Sequence, residues 1–72
     1  MHLPNIIKQL KARRETLRVT QEMLAELSGV SLRALKQFES GKGNPTLDTL
    51  TKLANALGME VVLQIKTLDY NP

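Results

Sequence analysis

Thr20-Gln21-Glu22-Met23-Leu24-Ala25-Glu26-Leu27-Ser28-Gly29-Val30-Ser31-Leu32-Arg33-Ala34-Leu35-Lys36-Gln37-Phe38-Glu39 reads as two short amphipathic helices joined at Ser28-Gly29-Val30. Thr20 and Ser31 are suited to open them, because a short side-chain oxygen can accept from an orphan N–H one turn ahead. Val19 and Val30 precede those caps and stand at hydrophobic-staple spacing from Leu24 and Leu35. Gly29 falls where the first helix must stop and the chain turn sharply, a left-handed position that a Cβ disfavours by about 1 kcal/mol or more. Ala25 is small where the second helix must approach closely. Leu24, Leu27, Val30, Leu35 and Phe38 are expected to point inward together. The pattern is a helix-turn-helix.

Pairs of amphipathic helices with a glycine between them also occur in proteins that bind no DNA. Here the alanine, the glycine and the apolar positions all fit at once. Working outward, 72 residues suffice for one domain, whose core supplies only about 3–5 kcal/mol, so a staple or an oligomer is expected. The absence of cysteine leaves neither a disulfide framework nor a thiolate metal site. No apolar run approaches the roughly 18 residues of a membrane span, and Met1-His2-Leu3-Pro4-Asn5 lacks a signal pattern, so a cytoplasmic location is expected. The net charge is +3, with eight Lys/Arg against four acids in residues 1–42 and two against three in residues 43–72. The basic excess accompanies the helix-turn-helix and the helix before it, as a phosphate-facing surface requires. A plain solvated face would show the same excess.

Leu3, Ile7, Leu10, Arg14 and Leu17 form one helical stripe, with Ile6 beside it, predicting a first helix from Pro4 or Asn5 to about Leu17. Gly41 supplies the stop after Phe38-Glu39-Ser40. Lys42-Gly43-Asn44-Pro45 is a loop by composition. Thr46 then caps a helix whose Leu47, Leu50, Leu53, Ala54 and Leu57 are read as core, ended by Gly58. From Met59 to Lys66 the period changes to two, with Met59, Val61, Leu63 and Ile65 on one face. A lone strand cannot satisfy its own backbone, so its partner is expected from a second copy across a two-fold axis. A fifth helix or a frayed extended tail are the alternatives. Residues 1–66 are read as a single domain, with a dimerisation strand at 59–66 and a short flexible tail at 67–72.

Thr20-Gln21-Glu22-x-Leu24-Ala25, Gly29-Val30-Ser31, Phe38-Glu39-x-Gly41 and Pro45-Thr46-Leu47 followed by Leu50, Leu53-Ala54 and Ala56-Leu57-Gly58 resemble the phage Cro/repressor-type (Xre) helix-turn-helix family over about residues 6–58. The strand after the last helix resembles the HipB-like antitoxin branch. The implied fold is all-α: a four- to five-helix repressor-like domain with one C-terminal strand pairing across a dimer.

The resemblance also implies roles. Gln21 matches a position that clamps a DNA phosphate, and Arg14 matches an arginine paired with Glu39 beneath the recognition helix, with a direct phosphate contact by Arg14 as the alternative. Ser31, Leu32, Arg33, Lys36 and Gln37 form the exposed face of that helix. Arg33 has the geometry for guanine O6 and N7, and Gln37 that for adenine N6 and N7. Leu32 can touch a thymine methyl but cannot hydrogen-bond. Lys36 suits a base or a phosphate, with phosphate preferred. Lys42 and Asn44 match backbone-contacting loop positions, and Lys8, Lys11, Arg13 and Arg18 are candidates for more distant phosphate contacts or plain surface.

His2 has no partner to orient it, and no nucleophile–base pair, metal-ligand spacing or Gly-rich phosphate loop is present. No enzymatic activity, cofactor, metal or small-molecule ligand is expected. The expected function is a homodimeric repressor on a palindromic double-stranded operator, as the antitoxin of a HipA-like toxin kinase whose operon it autoregulates. A stand-alone regulator with no toxin partner is the alternative.

Overall fold

Three hydroxyls start three of the four helices. Thr20, Ser31 and Thr46 stand in extended backbone and accept from the N–H of Met23, Ala34 and Thr49 respectively. The computed structural model describes residues 3–63. Its elements are α1 (Leu3–Thr16), α2 (Gln21–Ser28), α3 (Leu32–Glu39) and α4 (Leu47–Ala56). No helix among the described residues is long and apolar enough to cross a membrane.

The helix ends are closed by backbone. Gly29, at φ 76°, sends its N–H to the Ala25 carbonyl and turns the chain from α2 toward α3. Gly41 and Gly58 close α3 and α4 with paired bonds: Gly41 to Phe38 with Lys42 to Gln37, and Gly58 to Asn55 with Met59 to Ala54. The end of α1 repeats that paired pattern, Arg18 to Glu15 and Val19 to Arg14, but its left-handed residue is Arg18, at φ 56°. A side chain costs about 1–2 kcal/mol in that conformation, whereas glycine brings an entropic cost of about 0.5–1 kcal/mol. Arg18→Gly is therefore expected to stabilise the domain by about 0.5–1 kcal/mol, read as a rise in thermal midpoint of a few degrees. A fall would show that the Arg18 side chain holds the corner.

Leu10, Leu24, Val30, Leu35, Phe38, Leu50, Leu53, Ala54 and Leu57 make the core. α2 packs on both α3 and α4, and α1 packs on α3. Both staples close inward: Val30 and Leu35 are buried, and Val19 packs against the cluster that holds Leu24. This small core is what sets the angle of α3.

Two expected core leucines lie outside it. Leu27 is 64% exposed. The inner face of α2 is Gln21, Leu24, Ala25 and Ser28, and at 3.6 residues per turn Leu27 stands about 110° from its centre. Leu47 is 63% exposed; it lies in the first turn of α4, about 70° from the centre of that helix's buried arc. Leu17, just past the end of α1, is exposed as well.

No strand occurs among the described residues. Met59 is half-buried against the core, and Glu60, Val61, Val62 and Leu63 are exposed. The ladder expected of Met59–Lys66 requires a second chain. Gln64, Ile65, Lys66 and the tail 67–72 lie outside the described residues, as does His2.

Candidate nucleic-acid interface

The sequence of α3 separates two faces. Leu35 and Phe38 go into the core, while Ser31, Arg33, Lys36 and Gln37 are exposed. Leu32 is half-buried, so it offers solvent only part of its side chain. The Ser31 oxygen already accepts from Ala34 N–H, which leaves its hydroxyl proton to donate outward. The first turn of α3 holds no acidic residue, so the partial positive charge of that helix end is not offset by its own side chains.

Lys42 and Asn44 are exposed in the loop after α3. With Gln37 they line a shallow depression of about 190 Å³ whose floor includes Ala34, Phe38 and Thr49. The structure thus brings the end of α3 and the following loop to one place. Ion pairs among the described residues are Arg14–Glu39 and Asp48–Lys52. Arg33, Lys36 and Lys42 therefore present positive charge with no counter-ion among those residues.

Behind this face lies a polar knot. Arg14 Nε donates to Glu39 Oε2 at 2.7 Å and Nη2 to Oε1 at 2.9 Å, while Nη1 donates to the Val19 carbonyl at 2.8 Å. The two side chains are 12% and 5% exposed. The bond to Glu39 raises the Arg14 pKa above its ordinary value despite the opposing effect of desolvation, and the charges of Glu39, Glu15 and Glu22 add to the rise. Arg14 is therefore a permanent cation occupied on all three nitrogens.

Gln21, the first residue of α2, is half-buried, and its Nε2 donates to Glu39 Oε1 at 3.0 Å. That bond was not legible from the sequence, because nothing in the spacing of positions 21 and 39 announces it. Arg13 also has a specific place. Its Nε donates to the Leu57 carbonyl at 3.1 Å, tying α1 to the end of α4. Lys8, Lys11 and Arg18 are exposed.

Two short helices at a left-handed glycine, the second resting on a partly buried ion pair and showing arginine, lysine and glutamine outward, define a helix-turn-helix domain. The chain belongs to the helix-turn-helix family HTH_3, whose model matches residues 10–63. It is 38% identical over 56 residues to the cryptic phage CTXphi transcriptional repressor RstR of Vibrio cholerae, covering 78% of this chain and 50% of that protein. It is 39% identical over 54 residues to the immunity repressor protein of Bacillus phage phi105, covering 75% and 38%. With the HTH-type transcriptional regulator y4dJ of Sinorhizobium fredii it shares 41% over 54 residues, covering 75% and 70%. The chain thus spans half or less of the two repressors' lengths.

Proposed function

We propose that this chain is a sequence-specific DNA-binding transcriptional repressor that acts as a homodimer on a palindromic operator. The observation that carries the reading is the outer face of α3, with Arg33, Lys36 and Gln37 exposed over a partly buried Arg14–Glu39 support. Repressors among the relatives favour the same direction of regulation. In this reading α3 lies in the major groove, Arg33 and Gln37 read base edges, and Leu32 contributes apolar contact. Gln21, Ser31, Lys36, Lys42 and Asn44 hold the phosphates.

Base contacts and phosphate contacts predict different losses. Arg33→Ala is expected to cost about 1–3 kcal/mol and to relax preference at one base pair, whereas Gln21→Ala weakens all duplexes alike. Selection from a random duplex library, followed by titration of the selected site, measures both. An Arg33→Ala variant with unchanged affinity and preference would place α3 outside the groove.

The dimer is proposed to form through Met59, Val61, Leu63 and Ile65. Its support is the alternation of the sequence and the exposure of Val61 and Leu63, which a single chain leaves in water. Val61→Asp with Leu63→Asp is expected to yield a monomer by sedimentation, with loss of tight operator binding. A double variant that still sediments as a dimer would locate the interface elsewhere. A second reading, in which the dimer also holds a HipA-like toxin kinase as its antitoxin, rests on the resemblance of the 59–66 segment to the HipB-like branch alone. Recovery of a kinase with the tagged protein from nuclease-treated native cells tests it, and a homodimer alone would leave an autonomous repressor.

A further inference from the structure

We infer that Glu39 is a positioning residue for phosphate capture: its buried carboxylate holds the Gln21 amide in the orientation that meets a DNA phosphate at the start of α2. The inference rests on the DNA-binding reading above. Glu39 belongs to the recognition helix, yet its side chain is 5% exposed and lies away from that helix's outer face. Its Oε2 is filled by Arg14 Nε, and its Oε1 receives both Arg14 Nη2 and Gln21 Nε2. Arg14 is itself anchored to the Val19 carbonyl. The carboxylate is thus a fixed acceptor, and a fixed acceptor orients whatever donates to it.

The chemistry assigns the rest. A carboxylate only accepts, so the Gln21 group facing it is the NH2 end of the amide. That nitrogen carries two protons. Glu39 takes one, and the second is left for an external acceptor, which is what a phosphate oxygen supplies. In the first turn of α2 the Gln21 and Glu22 N–H groups lack an intrahelical acceptor, Met23 N–H being taken by Thr20, and they favour an anion at the same place, with the Glu22 carboxylate opposing part of that effect. Repulsion between Glu39 and an incoming phosphate is offset by Arg14, since the pair is neutral as a unit. The ordering of a flexible glutamine, which binding would otherwise demand, is already complete in the free protein. Loss of that ordering corresponds to about a two- to tenfold weaker complex per bound copy.

The test is a double-mutant cycle on the full chain, titrated against a short duplex of arbitrary sequence at low salt. Glu39→Gln is expected to weaken binding about two- to tenfold when Gln21 is present, and to add no loss in the Gln21→Ala background. Losses that add would overturn the inference. Because Glu39→Gln also deprives Arg14 of its partner, the unmodified protein gives a second measurement. In ¹⁵N relaxation the Gln21 side-chain amide should be as ordered as the α2 backbone, unlike the exposed Gln9 and Gln37. Equal mobility of all three side chains would overturn the inference without any variant. Absence of binding by the unmodified chain to any duplex would instead remove the DNA-binding reading, and the inference with it.

Discussion

Arg14→Ala is expected to cost the domain about 3–5 kcal/mol, as large as the whole stability of a core this small. The substitution removes three hydrogen bonds and leaves the Glu39 carboxylate, 5% exposed, without a cation. Circular dichroism should show little or no cooperative unfolding at room temperature. The contrast that makes this informative is Arg14→Met combined with Glu39→Leu. Replacing both charges by apolar groups of similar size is commonly neutral or stabilising by about 1–4 kcal/mol. A folded double variant with poor duplex binding would assign the pair to holding α3 and Gln21 rather than to stability. If Arg14→Ala unfolded no more readily than the unmodified chain, the pair would carry no structural weight.

Leu53→Ala is expected to be nearly as damaging, at about 2–5 kcal/mol, because the cavity left in a packed core does not collapse. Leu53 is fully buried on α4 among the residues that carry the recognition helix. Leu27→Ala provides the opposite case. A residue that is 64% exposed is expected to change stability by no more than about 0.5 kcal/mol. Urea midpoints for the two variants would separate them cleanly. Similar losses from both would mean that the outer side of α2 is covered in solution.

Leucine 27 also marks how far apolar spacing reaches. The caps, the glycine turn and both staples were legible because each is a local rule acting within one turn of helix. Placing Leu27 and Leu47 inside was not justified, since the width of a buried arc depends on what lies across from it, and spacing along one helix does not report that. The left-handed Arg18 was hidden for a related reason: the other four left-handed positions among the described residues are glycines, which makes an arginine in the same geometry unrecognisable by composition. At the candidate interface, the exposed residues of α3 follow from helical periodicity. The Arg14–Glu39 pair came from family resemblance, while the Gln21 bond to Glu39 and the Arg13 bond to Leu57 depend on tertiary placement and carry no sequence signal. The strand expected at 59–66 does not occur over Met59–Leu63, where the chain is irregular; alternation of apolar residues marks a face but does not supply the neighbouring strand that a ladder needs.

The nine-residue core has a consequence for how long a copy survives. A core of this size supplies only about 3–5 kcal/mol, and an unliganded copy is therefore expected to open often enough for a protease to find it. A duplex present at a hundred times its dissociation constant adds about 2.7 kcal/mol to the folded state alone. For the repressor proposed above, occupancy and lifetime would then be coupled: a bound copy would be degraded slowly and a surplus copy quickly. The small core would thereby trim the pool toward the number of sites it serves.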